Sequence, residues 1–226
     1  MLLIAIDTSG RNGSVALCRG DENTFATLQM IPVDGGTYSA RLMPVIAELL
    51  ANQHLSKEQI DAFVVVSGPG SFTGLRVGLA TVKGLCEVLQ KPLVAVSMLE
   101  AVAVSRGPRD GQVAVALDAG RGEVYVGEFT MNKAYASVVR ENIAKLDAFA
   151  SEAAANQLAV LSPDAKVVEM LIAAGADAQQ VDGVQADEIG RLGMAKLIAG
   201  EVADVATLDA NYIRRSDAEL FSGPKR

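Results

Sequence analysis

The sequence predicts an α/β protein made of two similar lobes, and three observations lead to this fold class. Short apolar runs, typical of buried strands, alternate with longer segments in which apolar residues recur at helical spacing. A pattern of apolar run, aspartate, turn and second apolar run occurs twice in the chain. Half of the 226 residues are hydrophobic, so two lobes of roughly 100 residues can each bury a core.

The first half of the chain begins with three predicted strands. Residues 2–6 are a continuous apolar run, DTSGRNG supplies turn-forming residues, and a second strand over 14–18 completes a hairpin pattern. A third strand is predicted over 25–31. The pattern then alternates between helix and strand, with a helix over 39–53, a strand over 62–67, a helix over 75–89 and a strand over 93–96.

The second half repeats the opening pattern. QVAVAL ends in Asp118, passes through AGRGE and resumes as VYVGEF, just as LLIAI ends in Asp7, passes through TSGRNG and resumes as SVAL. This similarity predicts an internal duplication. The remaining predicted elements are a strand near 158–161, a helix over 163–174, a strand near 179–181 and a helix over 186–198.

Domain boundaries are predicted from this repeat and from local composition. We expect a first lobe over residues 1–104 and a second lobe over 105–205. The segment SRGPRDG at 105–111 is expected to link them, because Gly, Pro and charged residues are typical of linkers. Residues 206–226 are expected to form a tail that returns to the first lobe and whose last residues are flexible.

Composition narrows the functional classes. The net charge is −7, which argues against a chain that binds nucleic acid alone, because phosphate contacts need a basic surface. Cys18 and Cys86 have neither CxxC nor metal-site spacing, so we expect two free thiols in a cytoplasmic protein. The apolar start lacks the basic region of a signal peptide, and no run approaches the roughly 18 apolar residues of a membrane helix.

Two segments carry residues suited to holding a phosphate group. In SGPGSFTGLRVG a strand leads through a glycine-rich loop into a helix, whose amides and dipole favour an anion. The segment matches neither the dinucleotide fingerprint nor the P-loop, and close packing at a tight turn explains its glycines equally well. An aspartate after the first strand either contributes to such a site or caps the hairpin turn. The residues of this candidate loop are Asp7, Thr8, Ser9, Gly68, Gly70, Ser71 and Gly74.

Catalytic and metal-binding residues are not expected. His54 is the single histidine, so a zinc or iron site of the His/Cys type cannot be assembled within the chain. No serine stands in a GxSxG elbow, and nothing around His54 suggests an oriented base. We expect His54 at the end of a helix in the left-handed conformation.

Five segments together resemble the bacterial TsaB (YeaZ) family. They occur in the family's order over nearly the whole chain, as IAIDTS, SGPGSFTGLRVGLATVKGL, VSMLEAVA, ALDAGRGEVY and YIRRSDAEL. The resemblance implies the fold of the actin/Hsp70/sugar-kinase (ASKHA) superfamily, with two tandem ribonuclease-H-like lobes. One departure is Tyr38, at a position where the family usually has histidine in a context like HSxRLxP.

The resemblance also implies a function. It implies a non-catalytic scaffold, required when a complex transfers threonylcarbamoyl to the tRNA adenosine next to the anticodon. The implied partners are the catalytic paralogue TsaD, a TsaE-like ATPase and a second copy of the chain, with tRNA contacted only through the complex. No tightly bound cofactor is implied, and ATP is expected only at the level of the complex. The helices over 39–50 and 75–89 are expected to supply the partner interface, through Leu42, Met43, Ile46, Leu79, Val82, Lys83 and Cys86.

Two other functions stay open at this level. Asp7, Asp118 and the glycine-rich loop also fit a nucleotide-binding ATPase or kinase of the same fold, although the second half shows no further glycine pair of the phosphate-binding type. A metallopeptidase, a function with which relatives have been labelled because of the paralogue, would need histidine ligands that this chain lacks.

Overall fold

A computed structural model describes residues 1–107, 109–133, 135–211 and 213. Within these residues the chain forms two compact units. The first unit comprises Met1–Ala101 and Val184–Ala210, and the second comprises Val102–Gly183 together with the described residues after Ala210. No helix in the described part of the chain is long and apolar enough to cross a membrane.

The elements up to residue 104 follow the predicted order. Three strands open the chain and are followed by alternating helices and strands, with a short 3-10 turn at Lys57–Gln59. They are β1 (Leu2–Asp7), β2 (Asn12–Gly20), β3 (Phe25–Asp34), α1 (Tyr38–Asn52), β4 (Ala62–Gly68), α2 (Phe72–Leu89), β5 (Leu93–Ser97) and α3 (Met98–Val104).

The elements after residue 108 repeat this order. Three strands are again followed by a helix, a strand, a helix, a strand and a final helix. They are β6 (Arg109–Gly120), β7 (Glu123–Lys133), β8 (Tyr135–Lys145), α4 (Leu146–Ala155), β9 (Ala159–Ser162), α5 (Ala165–Ala173), β10 (Asp177–Gln180) and α6 (Ala186–Ile198).

The two five-stranded sheets have the same topology. The strand order is β3-β2-β1-β4-β5 in the first sheet and β8-β7-β6-β9-β10 in the second. In both, the first three strands pair antiparallel and the later strands pair parallel to the central one. The internal duplication and the two-lobed α/β fold predicted from the sequence are therefore confirmed.

Each sheet buries an aliphatic core. All six residues of β1 are buried, as expected for the central strand of a mixed sheet that is covered on both faces. In the second unit, Phe149 of α4 and Leu171 of α5 are buried in one cluster with alanines and valines of β6, β7 and β9. The low aromatic content of 4% is therefore compatible with two buried, mainly aliphatic cores.

The position of α6 corrects the predicted domain boundaries. We expected residues 105–205 to form one lobe, but α6 packs against β1, β2, β4 and β5 of the first sheet. Two glycines allow this approach. A Cβ at Gly190 would lie 2.8 Å from the Cys18 sulfur, and a Cβ at Gly193 would collide with the side chain of Val64. The chain passes between units after Ala101 rather than in the predicted linker over 105–111, where β6 has already begun at Arg109.

Three elements were missed from the sequence. The edge strand β8 has mostly exposed or half-exposed residues, so its sequence lacks the alternation that marks a strand with one buried face. Helix α4 is short and alanine-rich, which gives it little hydrophobic contrast. Helix α3 has only seven residues and directly follows a strand.

Candidate functional site

The glycine-rich loop lies against the end of β1. The loop joins β4 to α2, and the backbone N–H of Ser71 donates to the carbonyl oxygen of Ser9 at 2.6 Å. The Ser71 hydroxyl in turn accepts the N–H of Gly74 at 3.3 Å and caps α2. The structure therefore brings Ser9, Ser71 and Gly74 of the candidate loop together at one edge of the first sheet.

Close packing accounts for Gly70 and Gly74 of this loop, whereas Gly68, at the end of β4, has a positive φ of 134°. A Cβ at Gly70 would collide with the carbonyl oxygen of Ser9, and a Cβ at Gly74 would collide with that of Thr8. Gly78, one helical turn further, leaves room for the Thr8 hydroxyl in the same way. The loop is thus pressed against the backbone of residues 8–9, and this contact requires glycine without any phosphate group.

Asp7 caps the turn that follows β1. It is 4% exposed, and its Oδ1 accepts the backbone N–H of Ser9 at 2.8 Å and the Ser9 hydroxyl at 2.7 Å. Burial raises the pKa of the Asp7 carboxyl, and the two bonds from Ser9 oppose that rise. The geometry is that of an Asx-turn. The hydroxyl oxygen of neighbouring Thr8 is buried without a hydrogen-bond partner.

Tyr38 joins the start of α1 to the β1–β2 turn. The side chain is 5% exposed, and its hydroxyl donates to the carbonyl oxygen of Gly10 at 2.7 Å. Burial, with a further contribution from the Asp7 carboxylate, raises the pKa of Tyr38 to about 12. A Cβ at Gly13 would lie 2.5 Å from the tyrosine oxygen. Sequence reasoning singled out Tyr38 as a departure from the family but did not identify this packing role.

Two grooves occupy equivalent places in the two units. The first has a volume of about 710 Å³ and lies at the N-termini of α1 and α2. The second has about 590 Å³ and lies at the N-termini of α4 and α5. Acidic and basic side chains are equal in number in each lining, so neither groove has the excess of positive charge that favours phosphate binding. The charged side chains are Arg11 and Asp34 in the first groove, and Arg121, Lys145, Lys166, Asp118, Asp147 and Asp164 in the second.

The predicted interface residues are mostly core residues, which corrects that part of the prediction. Leu42, Ile46, Leu79, Val82 and Cys86 are each at most 5% exposed and pack inside the first unit. Helical spacing selects the most apolar face of a helix, and here that is the face toward the sheet.

The other two predicted interface residues have different surroundings. Met43 is 51% exposed on α1. The Lys83 ammonium group donates to the carbonyl oxygens of Leu208 at 2.9 Å and Ala206 at 3.4 Å. Lys83 is therefore engaged within the chain, and Met43 alone of the seven residues presents an apolar side chain to solvent.

The exposed side of the two helices nevertheless forms a surface of small and apolar residues. Helices α1 and α2 pack against each other, and each carries exposed uncharged residues spaced three or four positions apart, which places them on one stripe. Val88 is 78% exposed. We name this surface the α1–α2 face and define it by Ala40, Met43, Ala47, Ala51, Ala80, Gly84 and Val88.

Gly84 is the unusual member of the α1–α2 face. It stands in the interior of α2, where glycine destabilises a helix by roughly 0.5–1 kcal/mol relative to alanine. A Cβ at this position would meet no atom within 4 Å, so packing against the described residues does not explain the glycine. The glycines at 74 and 78 of the same helix, by contrast, are required by contact with Thr8.

Histidine and cysteine side chains form no recognisable reactive site. His54 has φ 52° just after α1, which confirms the predicted left-handed conformation. Cys18 and Cys86 are free and buried, and burial raises the pKa of Cys18 to about 12 and that of Cys86 to about 11. Among the residues that the structure describes, no group of three or more His, Cys, Asp or Glu is placed to hold a metal ion.

Comparison with known protein families and sequences gives consistent matches. A family model described as "TsaD: tRNA N6-adenosine threonylcarbamoyltransferase" matches residues 35–207. The tRNA threonylcarbamoyladenosine biosynthesis protein TsaB of Bacillus subtilis is 36% identical over 127 residues, 56% of this chain and 54% of that protein. The protein of the same description from Escherichia coli is 34% identical over 131 residues, which are 57% of this chain and 55% of that protein. The chain thus matches about half the length of these curated relatives.

Solved structures extend the similarity to nearly the whole chain. A Pseudomonas aeruginosa protein described as similar to peptidase YEAZ superposes with a TM-score of 0.76 and 25% identity, over 94% of this chain and 99% of that one. YeaZ from the same organism superposes with a TM-score of 0.71 and 25% identity, over 91% of this chain and 96% of that one. The activator of the 2-hydroxyisocaproyl-CoA dehydratase from Clostridium difficile superposes with a TM-score of 0.51 and 12% identity, over 90% of this chain and 99% of that one. This is a similarity of fold alone.

Proposed function

We propose that this chain, which belongs to the TsaB (YeaZ) family, acts in the biosynthesis of threonylcarbamoyladenosine in tRNA as a non-catalytic scaffold that binds a TsaD-like catalytic partner. Relatives of the chain bear the name of this pathway. The matching family model describes the threonylcarbamoyltransferase TsaD itself, so partner and scaffold are expected to share a fold.

The observation that carries the proposal is the α1–α2 face. Small residues on adjacent helices let the backbone of another helix approach closely. Among the residues that the structure describes, none packs against Gly84 to offset its cost in the helix interior, and a partner helix crossing at Gly84 would do so. Met43 and Val88, which are largely exposed, would then be buried at the two sides of the contact.

The other members of the proposed assembly follow from the same role. The chain is expected to self-associate through the α1–α2 face when the partner is absent, because a self-complementary helix pair suits a twofold interface. A TsaE-like ATPase joins the complex. Transfer RNA is contacted only through the complex, since the net charge of −7 disfavours binding to phosphate by the chain alone.

A nucleotide-binding ATPase of the same fold is the less well supported alternative. The Clostridium difficile activator of similar fold was solved with bound ADPNP. In this chain, however, the backbone N–H of Ser71 already donates to Ser9, and the backbone of residues 8–9 occupies the space beside Gly70 and Gly74. Calorimetric titration with millimolar ATP and magnesium distinguishes the two, since the scaffold is expected to give no heat of binding.

Co-expression with the cognate TsaD-like protein tests the proposal. Size-exclusion chromatography with light scattering is expected to show a stable one-to-one complex. Gly84→Leu and Met43→Glu should each weaken it, because the first blocks close approach and the second places a charge in the interface. Ile172→Glu is the matched control, since Ile172 is 56% exposed on α5 of the second unit. A complex that survives both α1–α2 variants would overturn the assignment of this face.

A further inference from the structure

Residues 201–210 follow α6 and meet the edge of the first sheet at Ala203. The backbone N–H of Ala203 donates to the carbonyl oxygen of Leu93 at 2.7 Å, and the two residues form an antiparallel bridge. Leu93 begins β5, the last strand in the order of that sheet. Three of the five β5 residues are buried apolar side chains, Leu93, Val94 and Val96. An uncovered edge of this kind is a template for pairing with another chain.

The far end of this segment is held by Lys83. Its Nζ donates to the carbonyl oxygens of Leu208 at 2.9 Å and of Ala206 at 3.4 Å. A turn brings both oxygens within reach of one ammonium group. Asp204 forms that turn by accepting the N–H of Ala206 and the hydroxyl of Thr207, each at 2.9 Å, while the N–H of Leu208 donates to the Asp204 carbonyl at 2.9 Å.

The near end is held by a second lysine. Lys196 of α6 pairs with Glu201 at 3.0 Å and with Glu100 of α3 at 2.9 Å. Ala210 is the one fully buried side chain of the segment, Val205 and Leu208 are half-buried, and Val202 is 54% exposed. Polar contacts at its two ends therefore contribute much of its attachment, and segments with so few buried side chains open at lower free energy than the core.

We infer that residues 201–210 form a strap that closes the β5 edge of the first sheet, and that Lys83 is the positioning residue that clamps it. The inference does not depend on the proposed function. It assigns to Lys83 a role within the chain in place of the predicted contact with a partner. When the clamp is lost, the edge of β5 is exposed and pairs with the same edge of a second copy of the chain.

Hydrogen exchange of the full chain, followed by mass spectrometry, tests this inference. Lys83→Met keeps the apolar stem and removes the donors. The amides of 203 and 206–208 are expected to exchange about ten-fold faster, the change expected from losing one charge-assisted hydrogen bond. The amides of β4 and α2 should be unchanged. Lys83→Arg should restore protection, and Lys57→Met, at an exposed lysine of the same unit, should have no effect.

A second variant keeps the test independent of α2. Asp204→Ala removes the acceptor that forms the strap turn and should accelerate exchange of the same amides. Light scattering is done with both variants carrying Gly84→Leu, which blocks the proposed self-association through the α1–α2 face. Their mass should rise with concentration, unlike that of the chain with Gly84→Leu alone. Unchanged exchange of 203 and 206–208 in both variants would overturn the inference. So would a loss of partner binding by Lys83→Met without any change in strap exchange.

Discussion

The hydroxyl of Tyr38 donates a 2.7 Å hydrogen bond to the carbonyl oxygen of Gly10, so the first residue of α1 is joined directly to the turn after β1. The ring fills the space left by Gly13 and approaches Gly74 of α2. One side chain thus ties the β1–β2 turn, α1 and the start of α2 together. The proposed partner-binding helices therefore depend on Tyr38 for their placement on the sheet.

Tyr38→Phe should lower the free energy of unfolding by about 1 kcal/mol, because it removes one partly buried hydrogen bond while keeping the ring. Urea unfolding followed by circular dichroism measures the change. Tyr135→Phe is the control, since Tyr135 is 67% exposed on an edge strand, and it should have little effect. Equal free energies of unfolding for the two variants would mean that the Tyr38–Gly10 hydrogen bond makes no net contribution to stability.

Much of the fold could be predicted because its signals are local. The buried run LLIAI became β1, and the repeated pattern ending in Asp7 and Asp118 reflects the shared topology of the two sheets. The left-handed conformation of His54 was predictable from its place after a helical pattern. The packing of α6 on the first sheet was not predictable, because sequence order suggests that it belongs to the lobe that precedes it.

The choice of interface residues shows where periodicity fails. Leu42 and Val82 were selected because large apolar residues at helical spacing mark a packed face, but the partner of that face is the chain's own sheet. Five of the seven residues of the α1–α2 face are alanine or glycine, which give almost no hydrophobic signal. Only the open space beside Gly84 distinguishes it from Gly74 and Gly78 on the same helix.

Gly74 and Gly84, two of the three glycines of α2, should respond oppositely to the same substitution. Gly74→Ala should lower the free energy of unfolding by about 3 kcal/mol, because its methyl group would collide with the Thr8 carbonyl. Gly84→Ala should raise it by about 0.5–1 kcal/mol, because the added methyl group meets open space and restricts the unfolded chain. Chemical denaturation of both variants measures the difference. A loss of stability in Gly84→Ala would show that the glycine is required within the chain.

Both cysteines should be unreactive in the folded chain. Burial raises the pKa of Cys18 to about 12 and of Cys86 to about 11, so at pH 8 almost no thiolate is present and neither sulfur is accessible. A chromogenic disulfide reagent should therefore label no thiol in the native chain and both thiols in denaturant. Rapid labelling of one thiol under native conditions, with the Cys86→Ser variant identifying which, would contradict this expectation.

The carboxyl of Asp7 should make stability depend on pH in a definite direction. Burial raises its pKa above the ordinary value of 3.8, so the folded state binds the proton more tightly than the unfolded state does. The stability that the protonated Asp7 carboxyl contributes is therefore fully present below about pH 4. It is lost as pH rises through the folded-state pKa, because a buried charge must then form. An amide at this position avoids that cost and still accepts the two bonds from Ser9.

Asp7→Asn should consequently match the unmodified chain in stability near pH 4 and exceed it at pH 7. Urea unfolding at several pH values, read as the difference between the two proteins, measures this gain. Asp118→Asn is the matched control, because Asp118 occupies the repeated position in the second unit but is exposed, and its Oδ1 caps the N–H of Gly120. A gain in Asp7→Asn that does not grow with pH would mean that the carboxylate is already stabilised as an anion, as a cation bound at this turn would do.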